Sequence, residues 1–178
     1  VFVRLGKGVV IARCIIESCG NGVQTTYAPD VTEVTLSSCW IHDNGNHKDP
    51  SSALQHNVYL CGTNTLVEFC RFGEPHSDGN NIKERGVDTI IRYNWIEGGK
   101  NRQIDLVDHE GYESANAYVY GNIIVQGNAV HNTNMIHWGG EKQSRAGKLY
   151  FFNNTVIGKH DATRFFVIRY PDCSVEAK

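Results

Sequence analysis

The chain has 178 residues, enough for one domain and one core, and its 17 Lys and Arg against 19 Asp and Glu give a formal net charge of −2. That balance argues against a nucleic-acid surface, which is normally basic. No apolar run is long enough to span a membrane, so no membrane span is expected.

The chain opens at Val1-Phe2-Val3 with no visible signal peptide and no polar capping segment. A repeat stack needs a covered end, so a mature or truncated piece of something longer is expected. The first element is a head at Cys14-Ile15-Ile16: a Cys or Asn, a variable residue, then an apolar one. The same head returns at Cys39-Trp40-Ile41, Cys70-Arg71-Phe72, Asn94-Trp95-Ile96, Asn122-Ile123-Ile124 and Asn154-Thr155-Val156, at spacings of 25, 31, 24, 28 and 32 residues. An imperfect period of this size marks a stack of coils.

Each later head is preceded by a strand: Val34-Thr35-Leu36, Thr65 to Phe69, Thr89 to Tyr93, Tyr118-Val119-Tyr120 and Leu149 to Phe152. These are rich in β-branched and aromatic residues and show no helical periodicity. A second strand follows each variable loop: His56 to Leu60, Asn80 to Lys83, Arg102 to Leu106, Asn134 to Trp138 and Phe166 to Tyr170. Aligned, their apolar residues Val58, Ile82, Ile104, Ile136 and Ile168 form an inward column. Alternation then turns Tyr59, Lys83, Asp105, His137 and Arg169 outward, with Arg85 two residues beyond Lys83 on the same face. The connections 43–55, 98–101, 127–133 and 139–147 are expected to wall a groove.

Cys14, Cys39 and Cys70 occupy equivalent repeat positions, so they are expected as a column of small buried thiols, continued by Asn94, Asn122 and Asn154. Zinc is the alternative, but paired C-x-x-C spacing is lacking. Asn153-Asn154-Thr155 matches a glycosylation acceptor, discounted because it lies in a strand head.

The heads, together with Asn81-Ile82-Lys83-Glu84-Arg85-Gly86, Ile91 to Ile96 and Tyr120 to Ile124, resemble right-handed parallel β-helix proteins of the pectate-lyase-like superfamily. The resemblance covers nearly the whole chain. It implies an all-β fold, a right-handed single-stranded parallel β-helix of about six coils forming a single domain over residues 1–178. The Asn-Ile-Lys strand is similar to the lysine-bearing strand of the alginate lyase and chondroitinase B group. That similarity implies β-elimination on a uronate polymer, with Lys83 as base. A base must reach the proton α to the carboxylate, and a cation must neutralise that carboxylate. Arg85 or Arg169 would be the cation, because the stretch Asp105 to Gly111 carries acids where that group carries its Arg. Tyr59 and His137 complete the catalytic candidates, and Asn57, Asn81, Asp105, Arg169 and His56 are the substrate-binding ones. Asp105, Asp108 and Glu110 offer the oxygen ligands that Ca²⁺ takes, a solvated turn being the alternative. A cross-strand ion pair is the plain reading of Lys83 with Asp105. Trp40-Ile41-His42-Asp43 resembles a pectate-lyase phrase with its last two residues exchanged, whereas polygalacturonase motifs are absent. The partner implied is an acidic polysaccharide met outside the cell, in the periplasm or at the cell surface. The competing expectation is a non-catalytic β-helix, a structural or glycan-binding module such as an adhesin or tailspike fragment.

Overall fold

A computed structural model describes residues 1–128 and 130–178, so Ala129, within the expected connection 127–133, lies outside the described residues. The chain winds as a parallel β-solenoid of about six coils, with no helix among the described residues. Three long parallel sheets run along it, beside a two-stranded one of Gly6–Lys7 and Val31–Thr32 among the described residues. Sheet I stacks Phe2–Val3, Val23–Thr25, Val58–Leu60, Ile82–Glu84, Ile104–Leu106, Asn134–Trp138 and Arg164–Ile168. Sheet II stacks Val10–Ala12, Thr35–Ser37, Leu66–Glu68, Thr89–Arg92, Ala117–Tyr120, Lys148–Phe152 and Ser174–Ala177. Sheet III carries the heads: Ile15–Ile16, Trp40–Ile41, Arg71–Phe72, Trp95–Glu97, Ile123–Val125 and Thr155–Ile157.

Alternation decides the core. Val58, Ile82, Ile104 and Ile136 are in register and fully buried, and face Val67, Ile91, Ile96 and Ile124 from the other sheets. In the last coil the expected register slips by two residues. Phe166 pairs with Ile136, and Ile168 pairs with Trp138 and is 48% exposed. The run Arg164–Ile168 is nearly all apolar, so it has no polar partner side to phase it by alternation.

Between sheets II and III the chain turns through one left-handed residue. Arg13, Ser38, Phe69, Tyr93, Gly121 and Asn153 have φ of 56°, 57°, 54°, 55°, 67° and 55°, each just before a head. At Gly121 a Cβ would stand 2.5 Å from the Tyr93 ring, so glycine is required there by space as well as by φ.

The heads form the expected column. Cys39, Cys70, Asn94 and Asn122 are buried, while Cys14 in the first coil is exposed and Asn154 is half-buried near the other end. Asn94 Nδ2 donates to Asn122 Oδ1 at 3.0 Å, and Asn122 Nδ2 to Asn154 Oδ1 at 2.9 Å. The Cys70 N–H donates to Asn94 Oδ1 at 2.9 Å, so thiol and amide share one ladder. All six thiols are free. A second ladder runs at the corner entering sheet I. Asn44 Nδ2 reaches Asn57 Oδ1 at 3.0 Å, Asn57 Nδ2 reaches Asn81 Oδ1 at 2.7 Å, and Asn81 Nδ2 reaches Gln103 Oε1 at 2.9 Å. Asn57 and Asn81 are therefore fully buried between coils rather than facing a ligand. The chain is still turning at these positions, so strand alternation does not reach them.

Candidate functional site

On sheet I the outer column runs Tyr59, Lys83, Asp105, His137 in direct register, as expected, but continues as Val167 rather than Arg169. Arg169 is exposed beyond it and only reaches the Gly140 carbonyl at 3.4 Å. The column is not open to solvent. Lys83, Asp105 and His137 are all buried, because the connection 139–147 folds back over them.

Arg145 fastens that connection. Its guanidinium donates to Glu84 Oε2 at 2.7 Å, Val107 O at 3.0 Å, Gly86 O at 3.1 Å, Ala115 O at 3.2 Å and Asn116 O at 3.4 Å. It also lies 4.7 Å over the Trp138 ring. Gly139 has φ of 146°, and a Cβ on Gly140 would sit 1.5 Å from the Gln143 carbonyl, so the start of the connection is tight. Asp108 Oδ1 accepts the Glu141 and Lys142 N–H groups. Glu141 is thereby set so that one carboxylate oxygen meets Lys83 Nζ and the other meets Arg85 Nη2.

Asp105 is the hub beneath. It accepts from Lys83 Nζ at 2.6 Å and Asn80 Nδ2 at 3.1 Å, meets His137 Nδ1 at 2.7 Å and Arg102 Nη1 at 3.4 Å. Burial works against its charge, but the His137 hydrogen bond and the Lys83 and Arg102 cations outweigh it and hold the carboxyl well below the usual range. Glu141 is lowered too: burial opposes, and Lys83 and Arg85 prevail. His56 is buried, and its Nδ1 accepts the Asn80 N–H at 3.1 Å. Burial, reinforced by Lys83, drops its pKa to about 4. Near neutral pH His56 is thus uncharged, with its proton on Nε2.

Beside this buried network opens a cleft of about 590 Å³, lined by Tyr27, Tyr59, Arg85, Asp108, His109 and Lys142 among others. Arg85 Nε donates to the Tyr59 hydroxyl at 3.0 Å, and Tyr27 OH lies 3.3 Å from that hydroxyl. Burial pushes the Tyr59 hydroxyl up, so it is a neutral phenol. Burial lowers His109, whose Nδ1 is buried without a hydrogen-bond partner among the described residues. The cleft therefore joins a guanidinium and the Lys142 ammonium, phenols, a neutral imidazole and the acids Asp108 and Glu110. Arg85 already meets Glu141 through Nη2 and the Asp108 carbonyl through Nη1, so a carboxylate is held here only by displacing Glu141, with the imidazole beside it to move a proton.

The three acids read as calcium ligands are not brought together. Asp105 is engaged by cations, Asp108 by backbone N–H groups and Arg85, and Glu110 is exposed. Among the described residues no group of three His, Cys, Asp or Glu converges as metal ligands would. Sequence reading missed Glu141, Arg145, His109 as a cleft residue, Arg102, Asn80 and Tyr27. Only Gly139-Gly140 and Gly147, bracketing a charged segment, signalled that this connection is shaped.

No protein-family model, curated protein or solved structure matches the chain.

Proposed function

We propose that the Arg85 cleft binds an acidic polysaccharide and cleaves it by β-elimination at a uronate unit. The observation that carries this reading is Arg85 itself, held at the cleft edge by Tyr59, with a neutral imidazole and two phenols around it. Arg85 exchanges its Glu141 partner for the uronate carboxylate and steadies the charge that grows there as the α-proton leaves. The His109 imidazole takes that proton. The electron pair forms a carbon–carbon double bond, the glycosidic C–O bond breaks, and the Tyr59 hydroxyl protonates the departing oxygen. Lys83 supports from behind as a cation. It lies between Asp105 and Glu141, which suits charge compensation rather than proton uptake. Kinship to the pectate-lyase-like superfamily is part of this proposal, and a polymer substrate would place the protein in the periplasm or outside the cell.

The test is incubation with alginate, polygalacturonate, chondroitin and hyaluronan, with and without calcium, following ultraviolet absorbance of the unsaturated product. Cleavage that falls on the order of 10²-fold or more in His109→Ala or Arg85→Ala supports the reading. Absence of product from every polymer refutes it. Full engagement of Lys83 by two carboxylates favours a second reading, a non-catalytic acidic-glycan binder. Calorimetric binding without product would select it.

A further inference from the structure

Sheet III carries a different surface. In the ladder, Trp40 pairs with Arg71 and Arg71 with Trp95, so the two indoles flank one guanidinium on the outer face. Both are 42% exposed. Arg71 lies 5.7 Å from the Trp40 ring centroid and the His42 ring 4.1 Å from it. Trp95 Nε1 donates to Glu97 Oε2 at 3.0 Å, which fixes the second indole. A groove of about 490 Å³ opens beside Trp40, with Trp95 outside its lining but hydrogen-bonded to Glu97 within it. Its lining, Trp40, His42, Arg71, His76, Glu97 and Lys100 among others, comes from three successive coils, so it follows the solenoid axis.

All but one of the charges in this groove are answered, Arg71 having no ion pair among the described residues. Lys100 Nζ meets Glu74 at 3.2 Å and the His76 carbonyl at 3.0 Å, His76 meets Asp43 at 3.4 Å, and Glu97 meets Lys159 at 2.9 Å. The lining carries Asp43, Glu74 and Glu97 against Arg71 and Lys100, so no excess of positive charge draws a polyanion here. What remains on offer is a set of fixed donors and acceptors beside half-exposed rings. Half-exposed indoles add less to folding than buried ones. Their π faces are negative and attract C–H groups that carry partial positive charge. A pyranose presents such C–H groups on its faces and hydroxyls around its rim. Trp40 and Trp95 are two ladder steps apart, roughly 9–10 Å, about the length of two pyranose units in an extended chain.

We propose that this groove binds a neutral pyranose oligosaccharide lying along the solenoid axis, with Trp40 and Trp95 as stacking positions two units apart. The inference stands apart from the Arg85 cleft, which opens beside Tyr59 of sheet I, shares no lining residue with this groove and would take the acidic unit. The test is calorimetric titration of the whole chain with cellohexaose, mannohexaose and xylohexaose, and with oligogalacturonate as the charged comparison. At least one neutral hexaose is expected to bind. Trp40→Ala and Trp95→Ala should each weaken it roughly two- to tenfold, while Tyr150→Ala, an aromatic change on sheet II, leaves it unchanged. Should an alanine variant fail to fold, Trp40→Phe and Trp95→Phe keep a smaller ring and should show intermediate binding. The proposal is overturned if no neutral hexaose binds, if only the oligogalacturonate does, or if the tryptophan variants bind like the parent.

Discussion

Arg145→Met offers the sharpest energetic test of how the cover over the site is held. Arg145 is 1% exposed and its partner Glu84 fully buried, with 2.7 Å between them. Removing the guanidinium strands a carboxylate that keeps only the Gly86 N–H and the Thr89 hydroxyl. Breaking a buried pair from one side costs about 3–5 kcal/mol, and the carbonyls of Val107, Gly86 and Ala115 lose their donor as well. Glu84→Gln with Arg145→Met removes the stranded charge and keeps an acceptor for Gly86, so the double variant should be more stable than Arg145→Met alone. Equilibrium urea unfolding measures both, and the Trp138 indole, 4.7 Å beneath the guanidinium, gives a local fluorescence signal. A cost below about 1 kcal/mol for Arg145→Met, or a double variant no better than the single, would refute the reasoning.

Three further outcomes are expected. His56 has its pKa lowered from 6.5 to about 4, so between those values the unfolded chain binds a proton that the folded chain does not. Stability is therefore full above pH 6.5 and falls as pH drops toward 4, by about 3 kcal/mol at most; His56→Gln should flatten that slope in urea titrations at several pH values. Burial pushes the Cys61 and Cys70 thiols up to about 12, so alkylation of the native protein should mark exposed Cys14 and Cys19 and spare Cys39, Cys61 and Cys70, as read by mass spectrometry. Asn122→Ala removes the acceptor for both the Asn94 N–H and Asn94 Nδ2, and should cost about 1–3 kcal/mol, with Asn122→Cys recovering part of it in the same urea assay.

The solenoid was legible because its corner recurs: every turn after sheet II repeats a Cys or Asn followed by an inward apolar residue, and that repetition survives unequal loops. Tyr59, Lys83, Asp105 and His137 were legible for the same reason, since each follows an inward residue on a short strand. Arg169 was misplaced because Phe165, Phe166, Val167 and Ile168 give no alternation to phase the last strand. Asn57 and Asn81, substrate-binding candidates by sequence, instead join the amide ladder between coils. The sequence did hold the signal, because Asn57, Asn81 and Gln103 each stand immediately before an aligned inward residue. The burial of Lys83 was not legible. It depends on Glu141, 58 positions away, and on Arg145 finding carbonyls from three other segments, contacts that no local pattern encodes.

The amide ladders point one way. The backbone N–H of Cys70 is received by Asn94, that of Asn94 by Asn122, and that of Asn122 by Asn154. Damage to a head is therefore registered upstream: losing an amide leaves the previous turn, not its own, with an unanswered donor. Within the ladder a whole turn can be removed or duplicated without that injury, because each turn from the Cys70 head onward supplies the acceptor its predecessor needs. On this ladder, adding or dropping complete units orphans no donor, whereas changing one corner orphans the donor of the turn before it.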